Sequence, residues 1–133
     1  MSNIQRAILT HGGAGSDPKD FDGPESAAGR GMDLMAHGGT ALTAVVGAVR
    51  VLEDDPRFNA GTGSRLRIDG HTMQLDASCM TSSNEFGAVA CVENIKNPID
   101  LACGVLRYSP HILLVGDGVR IFAMAWSHIT EHK

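Results

Sequence analysis

Leu52-Glu53-Asp54-Asp55-Pro56-Arg57-Phe58-Asn59-Ala60-Gly61-Thr62-Gly63-Ser64 compresses a helix exit, a polar loop and a strand entry into one short stretch. An apolar pattern arrives at it through Leu42, Val45, Val46, Val49 and Leu52, the i, i+3, i+4, i+7 spacing of one helix face. Pro56 stops that pattern, because proline cannot donate the hydrogen bond a continuing helix needs. Asn59 then stands beside Gly61 and Gly63. Its amide offers both donors and acceptors, which suits orienting a substrate or a nucleophile and equally suits a turn. Loops of this composition, held between apolar elements, are common places for function. The run Glu53-Asp54-Asp55 has no acid/base partner in the sequence. At a helix C-terminus, where unpaired carbonyls gather, it better fits an oxygen-ligand cation loop, although no EF-hand spacing is present.

Upstream, Thr40 is placed to N-cap the helix that ends at this loop. Ala41, Ala44, Gly47 and Ala48 leave room for a close neighbour. Ser26 to His37 predicts a preceding helix stopped by Gly38 or Gly39, with Gly29 and Gly31 either weakening it or admitting another backbone. Ile4 to Thr10 predicts a strand running into His11-Gly12-Gly13-Ala14-Gly15. Successive N–H groups in such a turn can converge on an anion or oxyanion. The Lys-Ser/Thr of a phosphate loop is absent, and a tight strand exit with His11 as a packing residue explains the stretch as well.

Downstream, Ser64 to Ile68 and Thr72 to Met80 predict a hairpin across Asp69-Gly70. The second strand alternates, with Asp76 on its polar side, buried near the sheet face, as a structural hydrogen-bonder rather than a catalyst. Phe86 to Val92 and Ile112 to Val115 predict two further strands. Pro98 opens a helix between them, and a last helix runs through Ile121, Phe122 and Ala125. Strands covered by helices, without regular βαβ alternation, indicate an α+β fold.

At 133 residues the chain is the size of one domain, with 43% hydrophobic and 20% charged residues, as expected of a soluble globular protein. A net charge of −4 without a basic stripe argues against nucleic acid as partner. No apolar run reaches the length of a membrane span, and Arg6 interrupts any signal-peptide core, so the expected location is cytoplasmic. Cys79, Cys91 and Cys103 form no CxxC and read as reduced, buried or half-buried thiols. His128 and His132 have the i, i+4 spacing of a metal pair, but no Glu stands in an HExxH position; they read as surface residues.

Several of these stretches, in order, resemble one family. His11-Gly12-Gly13-Ala14-Gly15, the Leu52–Ser64 loop, Leu75-Asp76-Ala77, Gly87-Ala88-Val89-Ala90, Ile95-Lys96-Asn97-Pro98-Ile99 and Ser109-Pro110-His111-Ile112-Leu113-Leu114-Val115-Gly116 are similar to plant-type L-asparaginases, also called isoaspartyl peptidases. The resemblance implies an N-terminal nucleophile hydrolase: an αββα sandwich whose precursor cuts itself into α and β chains, assembled as an (αβ)2 heterotetramer. Residues 1–133 then correspond to the α portion of one domain shared with the β subunit. The new N-terminal threonine of β is the expected nucleophile and its own amine the base. The expected substrates are the side-chain amide of L-asparagine and β-aspartyl dipeptides.

Carried over by position, Asn59 positions the nucleophile, and Gly12 and Gly13 lie against the site. The main-chain oxygens of Leu52, Glu53, Asp55, Phe58, Ala60 and Thr62 hold a structural sodium ion, with no other cofactor. The departures are Met80-Thr81-Ser82-Ser83 in place of the family's Met-Asp-Gly turn, and the absence of a threonine matching the nucleophile. Thr130 lacks the family's Gly-Thr-Val-Gly setting, and the chain ends at Lys133, before the expected cleavage junction. The alternatives are a non-catalytic relative or fragment serving as a binding or assembly module, and a glycosylasparaginase-like or threonine-aspartase-like hydrolase.

Overall fold

A computed structural model describes residues 5–131, with side chains described as far as Trp126. The chain divides into two compact units, Met1–Gly63 and Ser64–Lys133. Among the described residues it carries four α-helices and a three-stranded sheet, a mixed α+β architecture.

The first unit is a helix pair, α1 (Asp22–Ala36) and α2 (Ala41–Asp54). Thr40 caps α2 as expected, its hydroxyl oxygen accepting the Thr43 N–H at 3.1 Å. Gly38, at φ +88°, ends α1 in a conformation that favours glycine. The small residues do bring the helices close: a Cβ on Gly31 would meet the Ala44 carbonyl oxygen at 3.2 Å, and one on Gly47 would meet Leu34 Cδ1 at 2.3 Å. Gly29 has nothing near it and plays no such part.

The predicted N-terminal strand is not formed within residues 5–10, and Ile4 lies outside the described residues. A strand needs a ladder partner, and all three strands among the described residues belong to the second unit. Side chains pin the segment instead. Ile8 Cδ1 would lie 2.2 Å from a Cβ on Gly31, and the Thr10 hydroxyl donates to the Pro24 carbonyl at 2.7 Å.

In the second unit, β1 (Leu75–Met80) pairs antiparallel with β2 (Phe86–Val92), and β2 pairs parallel with β3 (Leu113–Val115). Of the predicted hairpin the turn and the second strand, from Leu75 onward, survive, and the first strand does not. Asp69 accepts the N–H groups of His71 at 3.0 Å and Thr72 at 2.9 Å, and Ser64 to Ile68 stays outside the sheet. The local carboxylate competes with the ladder, and Leu66 and Ile68 find no core to cover. Helix α3 (Pro98–Tyr108) lies on one face of the sheet, so close that a Cβ on Gly87 would sit 2.3 Å from the Ala102 carbonyl oxygen. The pairs Met80↔Phe86, Ala88↔Leu113 and Ala90↔Val115 share the other face. Met80, Phe86, Leu113 and Val115 remain exposed there. Helix α4 (Asp117–Glu131) follows Gly116. Phe122 and Trp126 on α4 stack with ring centroids 6.4 Å apart, beside Gly104.

Candidate functional site

The site builds outward from the end of α2. Asp55 caps that helix in an extended conformation, Pro56 turns the chain, and Gly61–Gly63 forms a single 3-10 turn. Phe58 is the loop's anchor, only 2% exposed. A Cβ on Gly12 would lie 2.9 Å from its ring, and one on Gly23 would lie 2.3 Å from it. The absence of side chains at those two positions is therefore what lets the ring seat itself. Through Phe58 the structure brings the first glycine loop to the residue next to Asn59, which is itself exposed.

The first loop has its own fixed geometry. Gly13 sits at φ +98° and donates its N–H to His11 Nδ1 at 3.0 Å. Accepting that bond leaves Nδ1 unprotonated, so neutral His11 carries its proton on Nε2 as a donor. Ser16 closes the loop by donating its hydroxyl to the Gly12 carbonyl oxygen.

The carboxylate run separates. Glu53 is buried, Asp54 is exposed, and Asp55 turns to Arg57 rather than joining its neighbours. Among the described residues no group of three or more His, Cys, Asp or Glu side chains is placed to hold a metal. This corrects the reading of the run as side-chain cation ligands. The side chains of His128 and His132 lie outside the described residues.

The main-chain oxygens are the other candidate ligands for a cation. A Cβ on Gly61 would meet the Glu53 carbonyl oxygen at 2.4 Å, and one on Gly63 would meet that of Phe58 at 2.2 Å, so the two glycines let main-chain carbonyls of the loop approach closely. The carbonyls of Asp55, Phe58 and Ala60 each accept one loop N–H, at 3.2, 2.8 and 3.1 Å. A carbonyl oxygen has two lone pairs, so each keeps one for a hard cation.

Arg57 was not singled out by sequence reasoning. Its guanidinium grips Asp55 (Nη2 to Oδ2 2.6 Å) and Asp22 (Nη1 to Oδ1 2.8 Å, Nη2 to Oδ2 2.9 Å), with Asp20 at 3.4 Å. It also lies over the Phe58 ring, 5.6 Å from the centroid. Hydrogen bonds from Arg57 hold the Asp22 and Asp55 carboxyls below the usual carboxylate range, and those carboxylates raise the guanidinium pKa in return. Asp22 lies 35 positions from Arg57, so no local spacing signals the pair.

Elsewhere, Asp76 is the structural hydrogen-bonder expected, though exposed rather than buried: it accepts the Cys91 N–H at 2.8 Å. That bond spans the bulge where the β1–β2 register shifts and Cys91 takes φ +54°. All three cysteines are free, and burial pushes the Cys79 and Cys103 thiols up, away from nucleophilic use.

The sequence comparisons agree on one family. The family model described as asparaginase matches residues 4–132. A plant-type L-asparaginase of Pyrococcus horikoshii is 45% identical over 96% of this chain and 45% of its own length. An isoaspartyl peptidase/L-asparaginase of Xenopus laevis is 44% identical over 92% of this chain and 41% of its own. One of Mus musculus is 40% identical over 91% and 39%. The chain thus spans less than half the length of the relatives it matches.

Proposed function

Because the chain belongs to the asparaginase family, we propose that it is the α portion of an amidohydrolase that cleaves the side-chain amide of L-asparagine and β-aspartyl dipeptides. The observation that carries the α-portion reading is the apolar sheet face of Met80, Phe86, Leu113 and Val115, which is left exposed while α3 covers the opposite face. An exposed apolar face of this kind calls for a covering layer. The β subunit of the same precursor supplies that layer as the second sheet of an αββα sandwich, with residues 1–133 as part of one shared domain. Two such pairs form an (αβ)2 assembly in the cytoplasm, a reading the unpaired cysteines support.

In this reading autoproteolysis frees a threonine at the N-terminus of β. Its hydroxyl attacks the amide carbon while its α-amine takes the proton. Ammonia, or the amine of the dipeptide, leaves with a proton, and water then releases aspartate from the threonine ester. Asn59 orients that nucleophile, its place set by the buried Phe58 on one side and the Gly61–Gly63 turn on the other. The Gly12-Gly13 loop lies against the site through Phe58. The main-chain oxygens of Leu52, Glu53, Asp55, Phe58, Ala60 and Thr62 would hold sodium, which stiffens the loop and takes no part in bond making. The test is aspartate release from L-asparagine and from a β-aspartyl dipeptide by the assembled protein. Release from both supports the reading, and release from neither refutes it.

A further inference from the structure

Arg57 does more than decorate the surface. Its donors meet three carboxylates drawn from separate places: Asp55 at the end of α2, Asp22 at the start of α1, and Asp20 just before it. Single exposed ion pairs contribute little to stability, but bidentate arginine pairs joined in a network are the exception. Here Asp55 is 20% exposed, Asp20 27% and Arg57 39%, while Asp22 at 55% faces solvent, so the network is sheltered on the Asp55 side only. Its flat cation also lids the Phe58 ring from outside, while Gly12 and Gly23 receive that ring from inside.

Asn59 follows directly. Its backbone is bracketed by the Phe58 N–H donating to Asp55 at 3.2 Å and the Ala60 N–H donating to Phe58 at 2.8 Å. Whatever fixes Asp55 and Phe58 therefore fixes where Asn59 starts. We propose that Arg57 is a positioning residue, holding the Asn59 loop against the first glycine loop through its bidentate grip on Asp22 and Asp55. This rests on the role proposed above for Asn59. A lysine substitutes only in part, because one ammonium does not span two carboxylates in the plane that a guanidinium fork does.

The test uses the assembled protein with L-asparagine as substrate, comparing Arg57→Gln, Arg57→Lys, Asp22→Asn and the double variant Asp22→Asn/Arg57→Gln. Arg57→Gln should lower kcat about tenfold with KM within about twofold, as expected when a group is misaligned rather than lost. Asp22→Asn should fall in the same direction, the double variant should be no worse than Arg57→Gln alone, and Arg57→Lys should lie between. Amide hydrogen exchange supplies the readout independent of turnover. Residues 11–15 and 55–63 should exchange about tenfold faster in Arg57→Gln, with α3 unchanged. Unchanged exchange across 55–63 overturns the proposal whatever the activity, as does faster exchange with unchanged kcat in an active enzyme. If the wild type itself releases no aspartate, the proposed function fails, and Arg57's hold on the loop is decided by the exchange arm alone: faster exchange supports it, unchanged exchange overturns it.

Discussion

Gly23→Ala sets two effects of opposite sign against each other. Gly23 is the second residue of α1, where alanine would ordinarily gain up to about 1 kcal/mol over glycine. The structure reverses that expectation. The new Cβ would stand 2.3 Å from Phe58 Cε2 and 2.4 Å from Cζ, whereas comfortable carbon contacts lie at about 3.5–4.0 Å. The ring would have to retreat by more than about 1 Å on that spacing. Yet Phe58 is 2% exposed, and on the Gly12 side a Cβ would already lie 2.9 Å from the ring. Overpacking of this kind costs about 1–3 kcal/mol, so after a helical gain of at most about 1 kcal/mol the net loss reaches up to about 2 kcal/mol. Urea denaturation of the assembled protein should show a lower midpoint with an unchanged slope. Adding Phe58→Leu should recover part of the loss, because the two substitutions share one contact and do not add. A Gly23→Ala protein as stable as the wild type, or more so, refutes the claim that Phe58 is seated on Gly23.

Asn59→Ala should cut turnover of L-asparagine by about tenfold or more while assembly, read by size-exclusion chromatography, stays intact; unchanged turnover removes Asn59 from the site. Asp22 and Asp55 have native pKa values held below the unfolded carboxylate value of about 3.9, so their pairing with Arg57 contributes fully above about pH 5 and drains away as pH falls through the lowered native values. Limited proteolysis at residues 55–63 should accordingly rise below about pH 4, and Asp22→Asn should show the same susceptibility at neutral pH. Gly87→Ala would put a Cβ 2.3 Å from the Ala102 carbonyl oxygen and 2.6 Å from the Leu106 nitrogen, backbone that cannot step aside, and should destabilise the β1–β2–α3 packing by about 1–3 kcal/mol in chemical denaturation. Replacing sodium with choline should speed exchange of residues 52–62 and lower the thermal midpoint; no change in either removes the cation from the account.

Local rules read well where local physics decides. The helix that the Leu42 to Leu52 spacing predicts, the Thr40 cap and the Pro98 helix start all depend on neighbours within one or two turns, and the structure forms them where the sequence places them, although α2 buries Ala44, Ala48 and Glu53 and leaves Val45 exposed. Phe86 to Val92 is a strand with the predicted bounds, and Gly87, lacking a side chain, admits α3 on one side. The failures depend on distant partners. Residues 5–10 have the apolar character of a strand but no ladder to join, and the stretch before Asp69-Gly70 loses to that aspartate's own hydrogen bonds. At the candidate site, the glycines and Asn59 were legible as a loop, but the seat of Phe58 on Gly12 and Gly23 was not. Nor was the Arg57–Asp22 grip, because both contacts join positions more than thirty residues apart. The carboxylate run misled for a related reason: Asp55 looks like a ligand beside Asp54 until Arg57 claims it.

The central claim is that this chain is one half of a hydrolase whose nucleophile lies on a second chain. Intact-mass measurement and N-terminal sequencing of the natively purified protein test it most directly. The account predicts a second polypeptide in equal amount whose first residue is threonine. A preparation that contains no chain beginning with threonine contradicts it.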